Sequence, residues 1–98
     1  MIGVVMHVRV QPDKVDRFVE LTEQLISDIR ANEPDTLLYE VLRADDDPNL
    51  FVYTSIFRSA EAREEHAQQP YHTAMSDEAW SCLSEDPEIR TFTPLCRD

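Results

Sequence analysis

Glycine is nearly missing: the 98-residue chain has one, Gly3. A single glycine cannot build the G-x-G-x-x-G turn of a dinucleotide fold or the cradle of a phosphate loop. Nicotinamide and nucleotide cofactors of the usual kinds are therefore excluded, and any redox chemistry has to run without them. Cysteine is scarce as well. Cys82 and Cys96 have no C-x-x-C spacing and read as small structural hydrophobes in a reducing compartment. Basic residues are outnumbered, 9 Lys+Arg against 20 Asp+Glu, for a net charge of −11. That charge repels phosphate backbones and anionic headgroups, which excludes nucleic acid and membrane surfaces as partners. No apolar run approaches the ~20 residues of a membrane-spanning helix, and Met1 leads into an alternating stretch instead of a signal region. The expectation is a cytoplasmic protein forming one domain over residues 1–98, with 42% apolar residues to build its core.

Along the chain, Ile2, Val4, Met6, Val8 and Val10 share one face by period two, with Val5, His7 and Arg9 opposite, which predicts a strand. Pro12 suits the first turn of a helix, Asp13 and Asp16 sit at its positive end, and Val15, Phe18, Thr22, Leu25, Ile26 and Ile29 recur at helical spacing to about residue 32. Asn32 is expected to close that helix in a left-handed conformation before Pro34. Thr36–Arg43 and Leu50–Phe57 read as a hairpin around Ala-Asp-Asp-Asp-Pro-Asn. Ser59 caps a short helix to about Gln68, Pro70 starts another to about Ser84, and a last strand follows Asp86-Pro87, from Glu88 to Cys96.

The order βαββαβ implies an α+β domain of the ferredoxin-like kind, a four-stranded antiparallel sheet with helices on one face. Both faces of the hairpin are apolar. Leu37, Tyr39 and Val41 oppose Leu38 and Leu42, and Phe51, Tyr53 and Phe57 oppose Leu50, Val52 and Ile56. One helical layer covers one face only, and a bare apolar sheet is a patch that monomers avoid. A homodimer closed through its sheet faces is expected, with His7 in the contact; otherwise the segment after Pro70 must fold across the second face.

Ala31-Asn32-Glu33-Pro34-Asp35-Thr36-Leu37-Leu38-Tyr39, then Asp47-Pro48-Asn49-Leu50-Phe51, then Phe57-Arg58-Ser59-Ala60-Glu61-Ala62 with His66 and Pro70 resemble, in order and spacing, the antibiotic biosynthesis monooxygenase family. The resemblance covers most of the chain. It implies a dimeric α/β barrel, a small hydroxylated aromatic or quinol as ligand, and oxidation without a cofactor, in which the deprotonated substrate itself gives an electron to dioxygen. Three positions depart from the family's usual run: Asp35 stands for a glycine, Ser55 for a glutamate, and Phe57 for an aromatic that is often tryptophan. The haem-degrading branch carries an iron-binding histidine where this chain has Ser76, so haem is disfavoured.

Candidate catalytic residues follow. His66 matches the family's histidine and is the expected base or donor, the plain alternative being a half-buried ring bonded to a carbonyl; Tyr71 and His72 are expected to orient the substrate. Trp80, Tyr39 and Tyr53 are candidate walls of a substrate pocket, or else core. The tyrosine hydroxyls suit hydrogen-bond donation to an enolate better than base work. His66 and His72 are six apart with Pro70 between them, which excludes a helix-face metal clamp, and no metal is expected. The acidic runs at Asp45–Asp47 and Glu85–Glu88 lack calcium-loop spacing and read as solvated charge. Two other functions stay open: an isomerase moving a proton on the same barrel, and a non-catalytic ligand-binding module.

Overall fold

The computed structural model describes residues 1–95. Its elements are β1 (Ile2–Arg9), a 3-10 turn (Pro12–Lys14), α1 (Val15–Asn32), β2 (Thr36–Arg43), β3 (Leu50–Phe57), α2 (Ala60–Gln68), α3 (Pro70–Ser81) and β4 (Glu88–Phe92). The strands form one antiparallel sheet in the order β2-β3-β1-β4, the ferredoxin-like arrangement. Cys96, placed in the last strand by sequence, lies outside the described residues.

Period-two alternation decides the faces. Register pairs Met6 with Tyr53 and Ile89, Val8 with Phe51, and Tyr53 with Val41, so these side chains share the face under the helices. α1 lays Phe18, Leu21, Leu25 and Ile29 onto that face, all buried. Phe18 meets the rings of Phe51 and Tyr53 at centroid distances of 5.1 and 6.3 Å. A side chain of this size buried so fully contributes about 1.5–3 kcal/mol. Asn32 ends α1 as its last helical residue, but not in a left-handed conformation: among the described residues no non-glycine φ is positive. The closure is instead a backbone bond from the Glu33 N–H to the Ile29 carbonyl at 2.9 Å. The following turn closes through the Thr36 N–H to the Glu33 carbonyl, 3.2 Å. Asp35 therefore stands where a glycine is not required.

α3 packs against α1 and α2, which rules out its folding across the far face. Among the described residues, no helix packs on the far face, which carries Val5, His7, Leu38, Leu42, Leu50, Val52, Ile56 and Phe92. Leu42 is 55% exposed and Phe92 45%.

Candidate active site

Proline chemistry sets the site. The residue before a proline is pushed out of the helical region, and Gln69 is extended at φ −60, ψ 137, splitting what would be one helix into α2 and α3. Ser59 caps α2, its hydroxyl accepting the Ala62 N–H at 3.1 Å, and Pro70 sits in the first turn of α3, where no N–H is needed. The bend brings His72 back beside His66, with ring centroids 4.8 Å apart. The proline that excludes a helix-face pair is thus what makes the two rings neighbours.

His66 is buried, enclosed by the rings of Tyr39 at 5.3 Å and Phe57 at 5.2 Å as well as His72. Its Nδ1 lies 2.9 Å from Glu33 Oε1. Glu33 also accepts the Thr36 hydroxyl at 2.7 Å and the Tyr71 hydroxyl. One carboxylate at the end of α1 therefore ties together α2, α3 and the start of β2. Sequence reasoning missed Glu33 as a site residue. The signal was a carboxylate immediately after an amphipathic helix and before Pro34, at the joint where α1 turns into the sheet.

Between the helices and the sheet lies a cavity of about 50 Å3. Tyr39, Tyr53 and Met6 line it from the sheet, Phe18 and Leu25 from α1, and His72, Met75, Ser76, Ala79 and Trp80 from α3. Four of the six candidates thus meet there: His72, Trp80, Tyr39 and Tyr53. His66 does not reach it; it borders a shallow outer pocket of about 110 Å3 with Glu33 and Thr36. Tyr71 does not line the cavity either, its hydroxyl being bonded to Glu33. Among the described residues, no three His, Cys, Asp or Glu side chains gather as metal ligands.

Burial governs the protonation states. Desolvation, then the neighbouring His66 ring, hold the His72 imidazole below its ordinary 6.5, with Glu33 and the Ala67 backbone pulling the other way. Burial pushes the Tyr53 hydroxyl up to about 12, against a lowering from its 3.3 Å bond with Thr22. Tyr39 is raised further by burial, then by Tyr53 and Glu33. Tyr71 is raised by desolvation, then by Glu33. At neutral pH the cavity therefore holds a neutral imidazole and two protonated phenols in an apolar lining.

The family model of antibiotic biosynthesis monooxygenases matches residues 1–78. A crystal structure of an antibiotic biosynthesis monooxygenase superposes with a TM-score of 0.90 at 20% identity, covering 97% of this chain and 99% of that one. A Caulobacter crescentus CB15 protein does so with a TM-score of 0.91 at 26% identity, covering 96% and 89%. The uncharacterized protein sll1783 of Synechocystis sp. is 26% identical over 86 residues, 88% of this chain; the chain spans 58% of that relative's length.

Proposed function

Because the chain belongs to the antibiotic biosynthesis monooxygenase family, we propose that it oxidises a small hydroxylated aromatic or quinol with dioxygen, without a cofactor, in the cavity under α3. The observation that carries this reading is the pairing of one neutral imidazole, His72, with the protonated hydroxyls of Tyr39 and Tyr53 around a mainly apolar chamber. A base held neutral accepts a phenolic proton at pH 7, and phenols that stay protonated donate to the oxyanion that results.

The chemistry balances on the substrate alone. His72 takes the ring hydroxyl's proton, and the phenolate passes one electron to dioxygen. The two radicals then join at a ring carbon as a peroxide. Loss of that carbon's hydrogen with cleavage of the O–O bond leaves a quinone carbonyl and one water. One oxygen atom enters the product and the other leaves as water, so the substrate supplies every electron. His66 acts as a positioning residue: Glu33 fixes its ring, and its ring packs on His72.

The working form in this proposal is a homodimer closed through the bare sheet face. Support comes from the apolar side chains that face carries, Leu42 and Phe92 being about half exposed in the single chain, which is surface of the kind interfaces cover. A cytoplasmic setting belongs to the same proposal, supported by the buried free thiol of Cys82.

Oxygen-electrode assays with a panel of anthrones and hydroxylated naphthalenes test the reaction. Uptake should exceed the uncatalysed rate, and His72→Gln should lower it about 10²–10⁴-fold. No rise with the unaltered protein overturns the proposal. A proton-transferring isomerase would instead work equally well without oxygen.

A further inference from the structure

On the proposal just made, the reacting edge of the substrate lies beside His72, yet the cavity there measures about 50 Å3. A cavity that takes up a benzene ring measures roughly 150 Å3. Just past the C-terminal end of α3 lies an open hollow of about 520 Å3, bordered by Leu83, Glu85, Asp86 and Ile89, a size suited to a small ligand. Trp80 lines both spaces. The sheet beneath runs continuously from one to the other, since Met6 in the cavity pairs with Ile89 in the hollow.

Something in the partition has to move, and the backbone of α3 is fastened at both ends. Tyr71 is held by Glu33 at its start. Near its end Arg17 grips Glu78 through bonds of 2.6 and 2.8 Å, and Gln11 Nε2 donates to the Ser81 carbonyl at 3.1 Å. The indole between these anchors is not fastened. Trp80 is 44% exposed and, among the described residues, its indole has no hydrogen bond and no ring partner; only its backbone carbonyl is engaged, accepting the Leu83 N–H at 3.2 Å. Lifting α3 would break each anchor; turning one side chain breaks none.

We propose that Trp80 is the gate of the site: rotation of its indole joins the hollow to the cavity, and the joined space binds an extended, flat, apolar ligand that carries no negative charge. The charge selection comes from the hollow's own rim. Its ionisable groups are Glu85 and Asp86; Arg9 bonds Glu85 at 3.0 Å, and Asp86 is exposed at the rim with no ion pair among the described residues. A carboxylate or sulfonate meets like charge there and on a chain of net charge −11.

Trp80 is the single tryptophan of the chain, so its emission reports on the gate directly. The probes are N-phenyl-1-naphthylamine, neutral, and its 8-sulfonate, the same skeleton with a negative charge. The neutral probe should quench Trp80 emission saturably, and the sulfonate should bind at least about tenfold more weakly. In stopped flow read by the emission of the probe itself, Trp80→Ala should speed association of the neutral probe about fivefold or more, with Trp80→Phe between the two. Ile89→Glu, which alters the hollow and not the cavity, should weaken the neutral probe about tenfold. Equal affinity for the two probes, an unchanged association rate in Trp80→Ala with native circular dichroism, or indifference to Ile89→Glu each overturns the proposal. The probes do not react, so a protein that consumes no oxygen can still show the gate, and an active oxidase with an unaltered rate in Trp80→Ala refutes the gate alone.

Discussion

Glu33 is the strongest single test of how the site is held together. Its side chain is 6% exposed and that of His66 8%, and the carboxylate satisfies three donors, from His66, Tyr71 and Thr36. Glu33→Ala strands all three. A buried donor left without an acceptor costs about 1–3 kcal/mol. Water admitted through the adjoining outer pocket of about 110 Å3 relieves part of the cost of the three, so the loss should total about 3–5 kcal/mol. For a domain of this size, each kcal/mol moves Tm by about 4–8 °C, which makes the expected fall about 12–40 °C. Glu33→Gln keeps one acceptor oxygen but turns an amide N–H₂ toward a donor, and should cost about 2 kcal/mol. Urea titration with thermal melts of both variants makes the measurement. Should Glu33→Ala fail to fold, the glutamine variant still reads the effect. A loss below about 1 kcal/mol in either would show that the carboxylate does not organise the joint.

All three tyrosines of the chain are raised above 10, Tyr53 to about 12. A phenol whose folded value exceeds its unfolded one adds stability in full below pH 10 and loses it as pH climbs toward the folded value, so absorbance at 295 nm should show no tyrosinate near pH 10 before unfolding begins; a normal titration of even one tyrosine contradicts this. His72 has the opposite sense. Its folded value lies below 6.5, so the unfolded chain takes up that proton first, and stability should fall as pH drops below 6.5, with kcat/KM losing its base in the same acid range. His72→Asn should remove the His72 share of both dependences, and a variant with the parent's profile would refute the assignment. Leu42→Glu, on the bare sheet face, should turn a dimer into a monomer in sedimentation while leaving the fold intact, and the parent dimer, built from two chains of −11 each, should tighten as salt screens their repulsion. A parent protein that sediments as a monomer at all salt concentrations refutes the sheet-to-sheet contact.

Strand parity made the sheet legible in the sequence. Period two set Phe51, Tyr53 and Phe57 on one face and Leu50, Val52 and Ile56 on the other, because side chains on a strand have no third direction; which of the two the helices cover is fixed by packing, with Phe51, Tyr53 and Phe57 buried. Ser59 and Pro70 announced their helices through capping chemistry that acts within a turn. The 3-10 turn at Pro12–Lys14 and the irregularity between Thr36 and Leu38 in β2 were not legible, since each depends on how neighbouring elements pack. The site was half legible for the same reason. Residue type marked His66, His72, Tyr39, Tyr53, Tyr71 and Trp80, but which imidazole meets the cavity depends on the angle between α2 and α3. The role of Glu33 depends on two helices and a strand converging on one carboxylate, which no local pattern encodes.

The most direct test of the oxidation is an isotope measurement on protein freed of metals and cofactors. With a hydroxylated aromatic as substrate under 18O2, each quinone formed should carry one labelled oxygen, the second should appear in water, and hydrogen peroxide should not accumulate. Unlabelled product, or product formed equally fast under nitrogen, would contradict a monooxygenase and leave proton transfer as the chemistry of the cavity.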